Sequence, residues 1–160
     1  MNTTDRVREI LETVCDPEIP PLSIADLGIL RDIYLNNDGV VVVITPTYSG
    51  CPAMQTIEDD ILAALERAGI EATVETRLAP AWTTDWMSEV GREKLRKIGI
   101  APPTKSCGDK RSLSGLVLQV TCPQCGSNDT EMISQFGSTA CKALYRCLTC
   151  LEPFDYFKCL

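Results

Sequence analysis

Cys122-Pro123-Gln124-Cys125-Gly126 and Cys147-Leu148-Thr149-Cys150 are the stretch on which the fold of the C-terminal third turns. Each pair sets two thiolates on one tight knuckle, where backbone amides can donate to sulfur and the bite suits tetrahedral coordination. The 21 residues between Cys125 and Cys147 slightly exceed the usual interval of about 15 to 20 between such pairs, and a longer hairpin absorbs the excess. Two knuckles complete a site for one metal ion. Zinc suits four thiolates best, although a single iron or an iron-sulfur cluster accepts the same donors. With every ligand supplied by protein, no coordination position stays open for catalysis, so the site is structural. Strand-like runs over 116–120 and 154–157 bracket the pairs, and residues 116–160 are expected to form a zinc ribbon.

Upstream of the ribbon, residues 101–115 are rich in Pro, Gly, Ser and charge and carry no apolar period, which predicts a linker. Residues 1–100 carry the periods of a separate domain. Val7, Ile10, Leu11 and Val14 recur at helical spacing behind Thr3-Thr4 and predict an amphipathic helix over 4–14. Cys15-Asp16-Pro17 stops it. Runs at 30–35 and 40–45 flank the polar turn Asn36-Asn37-Asp38-Gly39 and predict a β-hairpin. Its second strand, Val40-Val41-Val42-Val43-Ile44, does not alternate, as expected of a strand buried on both faces. Met54, Ile57, Ile61, Leu65 and Ala68 mark a helix that ends at Gly69, and 72–78 alternates as a strand. Strand, helix and strand in this order favour a right-handed crossover with parallel pairing. The expected fold class is α+β: a small αββαβ mixed-sheet sandwich with one added helix over 84–98, followed by the four-cysteine module.

Composition narrows the chemistry. The chain of 160 residues has no histidine, which removes Ser-His-Asp and Cys-His nucleophile systems and the usual proton shuttle at neutral pH. Nine cysteines, an odd count, read better as metal binding or thiol chemistry than as a disulfide framework. Residues 1–100 carry 17 acids against 9 bases, net −8, and residues 101–160 carry 5 against 6, net +1. Neither part is a basic nucleic-acid footprint. No apolar run approaches the ~20 residues of a membrane span, and the first residues lack the pattern of a signal peptide, so a cytoplasmic protein is expected, with no membrane and no nucleic-acid partner.

The loop Thr45-Pro46-Thr47-Tyr48-Ser49-Gly50-Cys51-Pro52 joins the buried strand to the second helix. Pro52 suits a first helical position, which makes Cys51 the cap. There, exposed amides and the helix dipole favour an anionic sulfur and a lowered thiol pKa, so Cys51 is a candidate reactive or metal-handling thiol, beside the plainer reading of a packed cap residue. Cys15, Cys107, Cys141 and Cys159 lack a partner at knuckle spacing and read as small hydrophobes or surface thiols. Trp82 and Trp86, four apart, are core or interface anchors and a candidate docking surface.

Asp16-Pro17-Glu18, Asp26-Leu27-Gly28, and Thr45-x-Thr47 with Gly50-Cys51-Pro52 together resemble the SufT-like family of metal-sulfur cluster assembly domains. The extension, Pro80-Ala81-Trp82-Thr83-Thr84-Asp85-Trp86 with the four-cysteine tail, Phe136 to Ala143 and Pro153 to Lys158, resembles the D-subunit family of phenylacetyl-CoA epoxidase systems over nearly the whole chain. The resemblance implies an accessory, non-enzymatic role in aerobic phenylacetate degradation. The partners it implies are the di-iron oxygenase or its [2Fe-2S] flavin reductase, together with general iron-sulfur assembly proteins. It also implies a transient iron-sulfur cluster or iron as cargo, Cys51 as the cluster-handling thiol, and Asp16, Glu18, Asp26, Thr45 and Thr47 as its supporting pocket. The sequence has neither the Glu-x-x-His motifs of a di-iron bundle nor a dinucleotide fingerprint. Two other classes compete: a thiol enzyme using Cys51, which lacks a histidine base, and a zinc-ribbon nucleic-acid binder, which the acidic N-terminal part opposes.

Overall fold

The computed structural model describes residues 2–104 and 119–159. Its contacts divide the chain into two units. One holds the chain as far as Trp82 together with Trp86–Gly91, the other Thr83–Asp85 and the chain from Arg92 onward.

In the first unit, helix α1 (Thr3–Leu11) precedes strands β1 (Leu30–Asn36) and β2 (Gly39–Ile44), helix α2 (Ala53–Arg67) and strand β3 (Ala72–Thr76). The sheet order is β1-β2-β3. Val42 lies opposite Ile33 in the antiparallel pair β1–β2 and opposite Val74 in the parallel pair β2–β3. This is the expected αββαβ arrangement. Val40 to Ile44 are all buried, as a central strand without alternation requires. Val7 and Leu11 of α1 and Ile57, Ile61 and Leu65 of α2 bury their apolar stripes with Ile24, Leu27 and Ile29 of the loop before β1; that burial supplies most of the stability of such short helices.

The helix expected over 84–98 is interrupted. A single 3-10 turn covers Thr84–Trp86, and helix α3 begins at Glu89 and runs to Lys97. Ser88 imposes the restart. Its Oγ accepts the Gly91 N–H at 2.9 Å, its hydroxyl donates to Asp26 Oδ1 at 3.2 Å, and its own N–H donates to the Asp26 carbonyl at 2.8 Å. Ser88 is thus an N-cap tied to a loop 62 residues earlier. Ser88→Ala should cost about 1 kcal/mol, the usual value of a lost cap, read as a lower urea midpoint with an unchanged slope.

The second unit is a four-stranded sheet in the order β4-β7-β6-β5, built from β4 (Ile100–Ala101), β5 (Thr130–Ser134), β6 (Lys142–Cys147) and β7 (Pro153–Phe157). Strand β4 pairs parallel to β7, with Ile100 opposite Asp155 and Ala101 opposite Tyr156; the other pairs are antiparallel. Ala143, Tyr145 and Cys147 alternate on one face of β6 and share a core with Ala101, Val120, Cys122, Phe154 and Tyr156. Tyr145 meets the Tyr156 ring edge-on at a centroid distance of 5.5 Å and stacks on Phe154 at 6.0 Å.

The boundary expected at residue 100 and the linker expected from 101 therefore differ from the structure. The half of α3 from Arg92 groups with the second unit, and Ala101 is buried in its core. A β4 of two residues is held by a strand more than fifty residues later, so no local pattern announces it. Residues 105–115 of the expected linker, and 116–118 of the strand expected over 116–120, lie outside the described residues; Val120 is buried but not in a strand.

Candidate functional site

The two cysteine knuckles are built alike. In the first, the Cys122 N–H donates to the Ser127 carbonyl at 2.8 Å and the Gly126 N–H to the Cys122 carbonyl at 2.9 Å. Gly126 takes the left-handed conformation that closes this turn, φ 76°, which glycine adopts without cost. In the second, the Cys147 N–H donates to the Glu152 carbonyl at 3.0 Å, and the corresponding left-handed position is filled by Leu151, φ 67°. The amides of Thr149 and Cys150 both donate to Cys147 Sγ at 3.4 Å. Ser127 Oγ and Thr149 Oγ1, 2.7 Å apart, join the knuckles, as does the Leu148 N–H on the Asp129 carbonyl. Nothing in the sequence marks that hydroxyl pair.

The four sulfur atoms of Cys122, Cys125, Cys147 and Cys150 all lie within 4.8 Å of one another. Cys122 and Cys150 are 3.8 Å apart, Cys125 and Cys147 3.5 Å. A tetrahedral ion with metal-sulfur bonds of ~2.3 Å requires sulfur separations of about 3.8 Å. The donor set therefore fits a four-thiolate metal ion. The electrostatics agree. The Cys150 amide, with that of Thr149, draws the Cys147 thiol down to about 6. The Glu152 amide also favours ionisation of Cys150, but burial and the three neighbouring sulfurs outweigh it and push that thiol up to about 12. Four such sulfurs cannot all ionise together without a cation, and a divalent ion displaces the remaining protons.

Cys51 is half-buried where the loop enters α2. By its dihedrals Pro52 is the cap residue, one place later than expected, yet the Ala53 amide and the Thr47 hydroxyl are still placed to favour a Cys51 thiolate. The expected lowering of its pKa does not follow. Burial pushes the thiol up, the negative charges of Glu18 and Asp16 push it further, and the Ala53 amide and Thr47 hydroxyl only partly oppose them. Its alkylation rate should therefore still be climbing with pH above ~8.5, the value of a free thiol, when followed by mass spectrometry of the Cys51 peptide. A plateau below that pH would contradict this environment.

The structure brings Asp16, Glu18 and Thr47 to Cys51. Asp16 is buried, and its Oδ1 accepts the Glu18 N–H at 2.7 Å and the Ile19 N–H at 3.1 Å, so it folds the turn that presents Glu18. Thr45 is buried with its N–H on the Ile29 carbonyl. Asp26 serves the scaffold: Oδ2 accepts the Ser23 N–H, Ser23 Oγ accepts the Asp26 N–H, and Oδ1 holds Ser88. Trp82 is no docking surface, being buried with its N–H on the Leu27 carbonyl at 2.9 Å, while the Arg31 guanidinium covers the Trp86 ring at 3.5 Å. Cys141 is buried, and Cys159, expected as a free thiol, is disulfide-bonded. Cys107 lies outside the described residues. Among the described residues, the four knuckle cysteines form the group that brings ligand atoms together for a metal; Cys51 has no such closed set. No described helix is long and apolar enough to cross a membrane.

The chain thus carries a mixed-sheet unit with a thiol on its β2–α2 loop and a ribbon whose four thiolates suit a metal ion. Family models match in the same order: "Iron-sulfur cluster assembly protein" over residues 4–76 and "PaaD zinc beta ribbon domain" over 106–158. The chain belongs to the PaaD family of phenylacetyl-CoA epoxidase components. It is 50% identical over 153 residues, 94% of this chain and 90% of the other, to the PaaD-type component of 1,2-phenylacetyl-CoA epoxidase from Escherichia coli strain K12. An Fe-S protein maturation auxiliary factor of Porphyromonas gingivalis strain W83 is 34% identical over 92 residues, 56% of this chain and 87% of its own. Two solved structures share the fold of the first unit. One is a domain of unknown function DUF59 from Bacillus anthracis, with TM-score 0.54 and 28% identity, covering 57% of this chain and 90% of its own. The other is a conserved hypothetical protein of Thermotoga maritima, with TM-score 0.50 and 32% identity, covering 59% and 94%.

Proposed function

We propose that this protein is a non-enzymatic maturation factor of a phenylacetyl-CoA epoxidase system, acting in the cytoplasm. In this reading Cys51 receives iron or an iron-sulfur cluster and passes it to a partner protein, either the di-iron oxygenase or its [2Fe-2S] flavin reductase. General iron-sulfur assembly proteins supply the cargo, and Cys122, Cys125, Cys147 and Cys150 hold a structural zinc ion. The observation that carries the reading is the open ligand set at Cys51: one half-buried sulfur with a hydroxyl and two acidic side chains around it, suited to holding a metal jointly with donor or acceptor and not to keeping it. The names of the relatives support the same role. A thiol enzyme is disfavoured, because burial and two carboxylates hold the thiol protonated and no histidine can serve as its base.

The test is to co-express the partner proteins with this chain, without it, and with Cys51→Ser, then assay iron and sulfide in each purified partner. Serine preserves the hydrogen-bond acceptor at the loop, so the variant isolates the sulfur. A partner short of iron or cluster in the last two arms supports the proposal; full metallation by the Ser variant overturns it.

A further inference from the structure

Within the second unit lies a cleft of about 560 Å³ whose walls include Arg92, Arg96, Pro102, Pro103, Pro123 and Gly126. Its volume falls in the range of small-molecule sites, roughly 300 to 1,000 Å³. Arg92 is 6% exposed, and its guanidinium donates to the carbonyls of Pro103 and Thr84. Among the described residues no carboxylate pairs with it. Carbonyl dipoles orient a buried guanidinium, but they leave its full positive charge uncompensated. Arg96, one turn along α3, joins the same wall and pairs with Glu93 at 3.0 Å. No acidic side chain among the described residues lines the cleft. Three proline rings give it apolar surface beside the two planar cations.

We propose that this cleft binds an oxyanion, carboxylate or phosphate, carried on a small apolar body. Guanidinium groups match both oxyanions bidentately, and Arg92 is already fixed by its two carbonyls, so little freedom is lost on binding. The competing use of the same charge is to offset the four-thiolate centre, because Cys122 also borders the cleft and a divalent ion with four thiolates carries a net charge of about −2. That use predicts no anion binding.

The probes are phenyl phosphate, benzoate and neutral benzyl alcohol, titrated by calorimetry into the metal-loaded full chain at moderate salt. Saturable binding of phenyl phosphate, benzoate or both is expected, and the responding arm identifies the oxyanion. Benzyl alcohol should bind at least tenfold more weakly, the loss of one charge-assisted hydrogen bond. Arg96→Gln, on an exposed helix face, should weaken the anion about tenfold with metal content unchanged. Arg146→Gln, whose ion pair with Glu131 lies on β6 and β5, should bind as the parent does. Arg92→Gln should abolish binding; if that variant loses its metal or its fold, Arg96→Gln alone decides. Failure of both anions to saturate, equal binding of benzyl alcohol, or undiminished binding by Arg96→Gln would overturn the proposal.

Discussion

Extracting the metal from the purified protein is expected to unfold the ribbon and leave the first unit standing. Among the described residues the ribbon's core cluster is small, and two of its members, Cys122 and Cys147, are themselves metal ligands. Binding by four thiolates contributes on the order of 10 kcal/mol to the folding of such modules, more than the whole net stability of many domains. Cys122→Ser should act like a chelator, because it removes a ligand from a sulfur that is also buried core. Elemental analysis should find about one zinc per chain before extraction, and amide exchange should show protection lost over β5, β6 and β7 afterwards. Acid should release the metal as well. Protons compete with the metal for all four thiolates, so its affinity falls as pH falls. Unchanged protection of β6 in metal-free protein would refute the structural role of the ion.

Gly28→Ala should be severely damaging to the first unit. Gly28 has φ 73°, and a Cβ placed there would stand 2.4 Å from the Trp86 carbonyl oxygen and 2.7 Å from the Trp86 Cβ. The left-handed backbone alone costs about 1 to 2 kcal/mol for a residue with a Cβ, and relieving a clash against backbone adds about 1 to 3 kcal/mol. A large fall in the urea midpoint is expected, with metal content intact because the cysteine knuckles are untouched. Gly126→Ala makes the control: it shares the left-handed backbone, φ 76°, but a Cβ there meets nothing within 4 Å, so only the smaller conformational cost applies. Equal effects at the two glycines would mean that the contact with Trp86 does not constrain the fold.

What could be read from the residues follows a physical division. The four-thiolate site was legible because coordination chemistry is written into spacing: two residues between thiolates make a knuckle wherever the chain runs. The αββαβ order was legible from periodicity, most clearly in the unbroken valines of β2 and the stripe from Met54 to Leu65. The unit boundary was not, because β4 exists only through pairing with β7, and the second half of α3 groups with a sheet whose other strands come more than thirty residues later. Strands β5 and β6 were not singled out either, although Ala143, Tyr145 and Cys147 alternate. The pKa of Cys51 went the wrong way for a related reason: helix-end amides are a local effect, whereas burial and the charges of Asp16 and Glu18 arrive only when the turn at 16–19 folds against the loop. Asp26 had the right prominence and a different task, holding Ser88 and the start of α3.

The pairing of β4 with β7 also sets an order of events during synthesis. Everything the first unit needs has been made once Gly91 is complete, so it can close early, as N-terminal domains generally do. Ile100 and Ala101, by contrast, wait for Asp155 and Tyr156, and contacts so distant along the chain form slowly. The metal ion cannot find its fourth ligand until Cys150 has been translated. Throughout that interval Cys122 and Cys125 are bare thiols on an unfinished sheet, open to oxidation or to the wrong metal, while a completed first unit already presents Cys51.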